Sequence, residues 1–199
     1  MDAVSNHYAE RDGVKGIRHE EIMSIYGSQE GMAHIAMAIC DPGDVVLVPN
    51  PGYPVFTAGP FLCGAKVETY DLHPENNFLI EFDKIPEEQA KRAKMMIVSY
   101  PLNPVCVTAP DSFYEELITF AKKYNIIILH DNAYSDIIYG GKVGKSFLAF
   151  EGAKEVGVEF YSLSKSYNYT GARMSFVVGN QAIIDRFKCV RSQIDYGIF

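Results

Sequence analysis

The sequence predicts an α/β fold, a three-layer α/β/α sandwich around a mostly parallel, seven-stranded sheet. Short apolar segments recur along the chain, near residues 22–26, 45–49, 66–71, 95–100, 126–131, 158–163 and 174–179. Stretches of helical character separate several of these segments. Strands that are apolar on both faces and alternate with helices belong to a sheet that helices cover on both sides.

The predicted helices follow this alternation. The clearest runs from Ser112 to Tyr124, and its apolar residues fall at helical spacing: Phe113, Leu117, Phe120 and Ala121. A second is expected over residues 32–38, which are apolar enough to be buried, and a last one over residues 181–195. Because no repeat, low-complexity tract or linker divides the chain, we expect one domain over residues 1–199.

Composition argues against several classes of function. The chain has 199 residues, of which 48% are hydrophobic and 22% charged, and its formal net charge is −7. This acidic balance argues against nucleic-acid binding. The apolar runs are far shorter than the ~20 residues of a membrane-spanning helix, and residues 1–7 lack the basic and apolar segments of a secretory signal. We therefore expect no membrane association and a cytoplasmic location.

The cysteines and histidines do not indicate a disulfide framework or a metal site. No C-x-x-C spacing links Cys40, Cys63, Cys106 and Cys189, so they are expected to be reduced, buried small side chains. None of the five histidines pairs with a carboxylate or cysteine at metal-ligand spacing. His130, within an apolar strand, is expected to be a core residue.

Lys165 is the most informative residue. It lies in SLSKSYNYTGAR, directly after an apolar strand and among hydroxyls and a guanidinium. A lysine ε-amine can form a Schiff base with an aldehyde, while Ser162, Ser164 and Arg173 can bind a phosphate dianion through charge-assisted hydrogen bonds. The combination suits a phosphorylated aldehyde. Taken alone, the Ser-x-x-Lys pattern also fits an ordinary surface lysine.

Three other predicted strands also end in polar residues. Gly27-Ser28 opens a helix, whose N–H groups and dipole favour an anion. Asn103 lies in a turn flanked by prolines, and Asp131 follows an apolar strand where its charge needs a cationic partner. Ligands bind at the carboxyl ends of strands in such sheets, so these side chains are expected to converge. Each also has a plainer interpretation, Ser28 and Asp131 as helix N-caps and Asn103 as turn chemistry.

The motifs, in this order, resemble those of fold-type I pyridoxal-phosphate enzymes, specifically the class I and II aminotransferases. Within them the sequence is most similar to the LL-diaminopimelate and aspartate aminotransferase group. The likeness covers residues 22–179 and rests on GSQEG, DPGDVVLVPNPGYPVF, YPLNP, HDNAYSDI and SLSKSYNYTGAR. The resemblance implies pyridoxal 5'-phosphate as cofactor, an amino acid and a 2-oxo acid as substrates, and a homodimer.

The resemblance also implies a role for each matching residue. Lys165 would form the Schiff base and later move the proton at the substrate α-carbon, and Asp131 would pair with the pyridinium nitrogen. Tyr134, with Asn103, would hydrogen-bond the phenolate oxygen, so Lys165, Asp131 and Tyr134 are the expected catalytic residues. The other expected contacts are those to the phosphate and to the two ring faces: Ser28, Gln29, Ser162 and Arg173 for the phosphate, and Tyr53 and Ala133 for the ring. Tyr53 also fits an ordinary aromatic residue in a turn.

The chain departs from the family pattern in two turns and in length. Cys106, in Asn-Pro-Val-Cys, stands where the family commonly has a glycine whose positive φ shapes the turn, which bears on the placement of Asn103. Met174-Ser175 replaces a small, glycine-containing strand start. By this resemblance the chain is also expected to correspond to the family's large domain alone, without the N-terminal arm and without the C-terminal small domain that bears the arginine for the substrate carboxylate.

Three functions remain open on this basis. The first is an aminotransferase, or the cofactor-binding major domain of one. The second is a truncated, non-catalytic remnant that binds the cofactor or dimerises, because the carboxylate-binding domain is expected to be absent. The third is a pyridoxal-phosphate-dependent lyase or decarboxylase, which would use the same lysine and acid.

Overall fold

Seven strands form one sheet in the computed structural model, which describes residues 1–140 and 144–194. They are β1 (Ile22–Ile25), β2 (Val45–Asn50), β3 (Lys66–Asp71), β4 (Ala93–Ser99), β5 (Ile127–Asp131), β6 (Gly157–Ser162) and β7 (Ser175–Gly179). Their spatial order is β1-β7-β6-β5-β4-β2-β3. The strands from β6 to β3 in that order pair in parallel, and β7 is antiparallel to both of its neighbours. The predicted mostly parallel sheet is confirmed.

Eight α-helices accompany the strands in the described part of the chain. They are α1 (Asp2–Asp12), α2 (Ser28–Ile39), α3 (Pro54–Leu62), α4 (Glu87–Arg92), α5 (Asp111–Tyr124), α6 (Ala153–Val156), α7 (Leu163–Ser166) and α8 (Gln181–Arg191). Short 3₁₀ turns occupy His19–Glu21, Pro74–Asn76, Phe82–Lys84, Phe147–Ala149 and Thr170–Ala172.

Two of the predicted helices are confirmed and one is shorter than expected. The predicted inward face of α5 is buried, and α5 ends where Asn125 adopts a left-handed conformation with φ 56°, which asparagine tolerates better than most residues. The expected buried segment 32–38 lies within α2. The last helix ends at Arg191, and Asp195, its predicted end, lies outside the described residues. The sequence patterns did not reveal α1.

Different helices cover the two faces of the sheet. His130 of β5 lies beside Glu159 of β6, and Asp131 lies beside Phe160. A tyrosine of α5 contacts the ring of His130, with 5.6 Å between centroids, on one face. On the other face Gly31 of α2 lies so close to Phe160 that a Cβ there would come within 2.9 Å of its ring. These layers confirm the α/β/α sandwich and place His130 and Asp131 on opposite faces.

Two expectations about burial are wrong in part. The strand β3 is not apolar on both faces, because it lies at the sheet edge, where Tyr70 is its only buried residue. All four cysteines are free, but Cys106 and Cys189 are exposed, and Cys40 alone is buried.

Among the helices that the structure describes, none combines the length and the apolar character needed to cross a bilayer.

Glu159 is the centre of a buried polar cluster that the sequence did not reveal. Its side chain is completely buried, and it lies next to His130, the expected core histidine, which is buried as predicted. The hydrogen-bond partners of Glu159 come from three segments: Tyr8 Oη at 3.0 Å, His130 Nδ1 at 3.0 Å, Asn132 Nδ2 at 3.1 Å, Ser146 Oγ at 2.9 Å and Phe147 N at 2.7 Å. Burial raises the pKa of Glu159, but the hydrogen bond from His130 and the other donors outweigh it, so the pKa lies below its usual value.

Replacing Glu159 by glutamine is expected to lower the free energy of unfolding by about 3 kcal/mol at pH 7. The reason is that the side-chain NH₂ group of glutamine would face N–H and O–H groups that already donate hydrogen bonds to this position. The folded-state pKa is depressed, so the stabilisation is present above the unfolded-state pKa of about 4.3 and is lost as the pH falls through the folded-state value. Urea unfolding of both proteins at pH 7 and at pH 3.5–5 measures this difference. The exposed Glu116→Gln is the matched control, and equal stability of the Glu159→Gln and wild-type chains at pH 7 would contradict the prediction.

Candidate active site

One cavity at the carboxyl edge of the sheet gathers the predicted site residues. It has a volume of about 130 Å³. Its lining includes every residue predicted to bind a cofactor: Ser28, Gln29, Tyr53, Asn103, Asp131, Ala133, Tyr134, Ser162, Lys165 and Arg173. The strands β1, β2, β4, β5 and β6 point the same way and deliver these residues to one edge. Met32, Val55 and Thr170 also line the cavity, and the sequence had predicted no role for them.

The start of α2 and Arg173 form one wall of this cavity. Gly27 is the N-cap of α2, with φ 87°, so the interpretation of Ser28 as the N-cap is wrong. The Oγ of Ser28 is buried and has no hydrogen-bond partner among the described residues. A Cβ at Gly27 would collide with the guanidinium of Arg173. The glycine therefore lets a cation lie against the N-terminus of α2, beside an unpaired hydroxyl.

Ser162 is held by two neighbouring donors. Its Oγ accepts a hydrogen bond from the backbone N–H of Ser164 at 3.2 Å and from Ser175 Oγ at 3.1 Å. Because both bonds use the oxygen as acceptor, the hydroxyl proton of Ser162 remains available to a ligand. Ser175 belongs to the pair that departs from the family pattern, and here it orients a cavity residue. We name Ser28, Ser162 and Arg173 the anion cradle.

Asp131 lies at the end of β5 with one oxygen unpaired. It is followed by a turn, so its interpretation as a helix N-cap is wrong. Its Oδ1 is buried without a hydrogen-bond partner in the described part of the chain. Burial raises the pKa of Asp131 to about 6, although the charge of His130 and the N–H of Ala133 act in the opposite direction. A buried carboxylate of this kind is costly unless a cation pairs with it.

The turn that carries Asn103 has a positive φ at the position of the family's glycine. Cys106 adopts the positive φ itself, at 59°. Asn103 lines the cavity, and its Nδ2 donates to Tyr134 Oη at 3.4 Å. Burial raises the pKa of Tyr134, and the hydrogen bond from Asn103 partly offsets it. The loss of the glycine therefore does not remove the Asn103 side chain from the site.

Lys165 lies on α7, the short helix that follows β6. The residue is exposed, but it lines the cavity, and its Nζ lies 5.9 Å from the ring centroid of Tyr134. The Oη of Tyr53 donates a hydrogen bond to Gln29 Oε1 at 2.8 Å, which connects the tyrosine ring to the first turn of α2. The cavity thus combines an amine, an unpaired acid, a phenol paired with an amide, and the anion cradle.

Comparison with known proteins identifies the family. The model of the family "Aminotransferase class I and II" matches residues 2–194. A curated LL-diaminopimelate aminotransferase of Halothermothrix orenii is 48% identical over 180 residues, which is 90% of this chain and 46% of that protein. An LL-diaminopimelate aminotransferase of Aquifex aeolicus is 43% identical over 197 residues, 99% of this chain and 51% of that protein.

Solved structures agree in fold. Substrate-bound BacF from Bacillus subtilis superposes with a TM-score of 0.96 and 37% identity, over 100% of this chain and 50% of that one. A probable N-succinyldiaminopimelate aminotransferase from Thermus thermophilus gives a TM-score of 0.94 and 33% identity, over 100% of this chain and 53% of that one. The chain spans about half the length of the curated relatives it matches. With the family model matched along nearly the whole chain, this protein belongs to the class I and II aminotransferases.

Proposed function

We propose that this chain is the pyridoxal-phosphate-binding major domain of an aminotransferase and that the cofactor binds in the cavity of the candidate active site. The observation that carries the proposal is the buried carboxylate of Asp131, one oxygen of which has no hydrogen-bond partner among the described residues, in a cavity that also holds the Lys165 amine and the anion cradle. Within the described part of the chain, each of these groups either lacks a strong hydrogen-bond partner or can still bind a ligand. Each also matches one part of pyridoxal phosphate.

The polar groups present fit the cofactor in number and chemistry. Ser28, Ser162 and Arg173 would donate to the phosphate, with the N-terminus of α2 adding favourable partial charge. Asp131 would accept a hydrogen bond from the protonated ring nitrogen, which gives its unpaired oxygen a cationic partner. Tyr134, with the amide of Asn103 beside it, would donate to the phenolate oxygen.

The chain's own residues would hold the reacting groups and move one proton. Pyridoxal phosphate, when bound, supplies a ring that accepts electron density from the substrate α-carbon. Asp131 would keep the ring nitrogen protonated, which strengthens that electron demand. Lys165 would hold the aldehyde carbon through its ε-amine and, once the substrate amine has replaced it, would move the proton at the substrate α-carbon. Tyr53 and Ala133 would restrict the plane of the ring.

For the whole protein we propose transfer of an amino group from an amino acid to a 2-oxo acid, with LL-diaminopimelate as the donor to test first. The shared name of the curated relatives supports this choice. We further propose that this chain is the large domain, that the arm and small domain lie outside it, and that the protein acts as a cytoplasmic homodimer. Coverage of about half of each relative supports the division into domains.

Lys165→Ala is expected to abolish covalent attachment of the cofactor, because the ε-amine is the group that reacts with the aldehyde. The wild-type chain, incubated with pyridoxal phosphate and reduced with borohydride, should gain one cofactor mass that peptide mapping places on Lys165. The exposed Lys15→Ala serves as control and should behave like wild type. Reducible cofactor that remains bound to the Lys165→Ala chain would refute the assignment.

Asp131→Asn is expected to stabilise the ligand-free chain above pH 6 and to weaken cofactor binding. The raised pKa means that protonated Asp131 is favoured in the folded state, so its contribution to stability is complete below about pH 4 and is lost as the pH rises through about 6. The asparagine chain should therefore be more stable by roughly 3 kcal/mol at pH 8 and by about nothing at pH 4.

Binding of pyridoxal phosphate should weaken about 10- to 100-fold in the same Asp131→Asn variant, because a charge-assisted hydrogen bond becomes a neutral one. Urea unfolding across pH and absorbance titration measure the two effects, with the exposed Asp83→Asn as control. Equal or tighter cofactor binding by Asp131→Asn would contradict the assigned role of this carboxylate.

A half-reaction separates the aminotransferase from the non-catalytic remnant. LL-diaminopimelate or L-aspartate, added to the cofactor-loaded chain, is expected to convert the visible absorbance slowly to that of the pyridoxamine form, because orientation by a small domain supplies much of the rate. An unchanged spectrum after prolonged incubation would favour the remnant. Release of carbon dioxide or ammonia without the pyridoxamine form would favour a decarboxylase or lyase.

A further inference from the structure

Asp136 lies outside the cavity lining and binds three other residues. It belongs to the turn after β5, two residues beyond Tyr134. Its Oδ2 accepts hydrogen bonds from Tyr161 Oη and from Ser166 Oγ, both at 2.6 Å. Its Oδ1 pairs with Arg11 Nε at 2.5 Å. None of these residues is part of the cavity lining, so the roles proposed above do not account for them.

Two of these bonds restrain the segment that carries Lys165 at both of its ends. Tyr161 is the second-last residue of β6, and Ser166 is the last residue of α7, directly after Lys165. α7 has only four residues, too few to be stable as an isolated helix. Its position must therefore be set by contacts from outside, and the carboxylate of Asp136 supplies one to Ser166 of α7 and one to Tyr161 of the strand that leads into it.

The third bond connects the cluster to the N-terminal helix α1. Arg11 pairs with Asp136 and Asp12, and its Nη2 donates to the carbonyl of Gly144 at 3.1 Å. The ring of His7, one turn earlier on α1, packs on Tyr161 with 4.8 Å between centroids. The side chains of Arg11 and Asp136 are only 13% and 22% exposed, so solvent screens their attraction less than at an open surface.

The carboxylate of Asp136 suits this position because all its partners donate. Burial raises its pKa, but the hydrogen bonds from Ser166 and Tyr161 and the charge of Arg11 outweigh burial, so the pKa lies below its usual value. Asp136 is therefore ionised at neutral pH and acts only as an acceptor. An asparagine there would turn one accepting atom into a donor facing another donor.

We propose that Asp136 is a positioning residue for the Lys165 amine: it fastens the turn bearing Lys165 to the turn bearing Tyr134 and to α1. Asp136 does not touch the reacting atoms itself. The proposal rests on the proposed function in one respect, that Lys165 holds the cofactor. It adds that the placement of this amine depends on α1 and on an acid that is not part of the cavity lining.

The test removes one bond from the cluster and then restores it. Ser166→Ala deletes the hydroxyl that links the Lys165 turn to Asp136, whereas Ser166→Thr keeps a hydroxyl at the same position. Asp136→Asn removes the acceptor itself, and the exposed Ser112→Ala is the matched control. Two quantities are measured on the full chain: the dissociation constant for pyridoxal phosphate from visible absorbance, and hydrogen–deuterium exchange of residues 163–169 without ligand. The amides of Tyr167 and Asn168 donate within that turn and therefore report its opening.

Ser166→Ala and Asp136→Asn are expected to weaken cofactor binding about tenfold and to accelerate exchange of residues 163–169 about tenfold, the effect of losing one hydrogen bond to a charged group. Ser166→Thr and Ser112→Ala should match wild type in both measurements, and exchange in α5 should not change. Wild-type affinity and exchange in Ser166→Ala would overturn the proposal, as would failure of Ser166→Thr to restore the affinity.

The two proposals fail in distinguishable ways. If the wild-type chain takes up no pyridoxal phosphate on Lys165, the proposed function fails, and ligand-free exchange alone decides whether Asp136 holds the turn. If the wild-type chain binds the cofactor and Ser166→Ala exchanges faster but binds equally well, Asp136 only stabilises the fold and its positioning role is refuted.

Discussion

The common direction of five strands is the constraint on which the rest of this structure depends. Parallel strands align their carboxyl ends, so the residues that follow β1, β2, β4, β5 and β6 meet at one edge of the sheet. At this edge, the carboxyl end of a buried sheet, polar groups lose their contact with solvent water. An acid such as Asp131 is therefore left with an unpaired oxygen and a raised pKa. This acid lowers the stability of the ligand-free fold, and for the same reason the site favours a cationic partner.

The polar residues on the opposite face serve the fold and, as we propose, the site. Glu159 gathers donors from α1, β5 and the segment after Ser146, all within the core. Asp136 gathers donors from α1, β6 and α7 just outside it. Both clusters use α1, which connects the first turns of the chain to β5, which carries Asp131, and to β6 and α7, the second of which carries Lys165. Satisfied buried networks of this kind rigidify a structure because each member is expensive to leave unpaired.

Much of the fold and the membership of the cavity could be predicted from sequence. Hydrophobic runs located each strand to within two residues, and the strand-end rule brought residues as distant as Ser28 and Arg173 to one cavity. Local interpretation failed where backbone geometry decided the outcome. Gly27, not Ser28, caps α2, and Cys106 supplies the positive φ that a glycine was expected to supply. Neither can be judged from residue type alone, because caps and φ values depend on neighbours distant in sequence.

By itself the sequence determined the α/β alternation, the parallel sheet and the family-specific residues, because periodicity and motifs are local properties of the chain. Only the tertiary structure decided which polar groups lack partners and which are paired. Asp131 and Asp136 are both acids in one short segment, yet the first has an oxygen without a partner among the described residues and the second binds three donors. The partners of Asp136 come from α1, β6 and α7, and contacts across such separations exist only after the layers have packed.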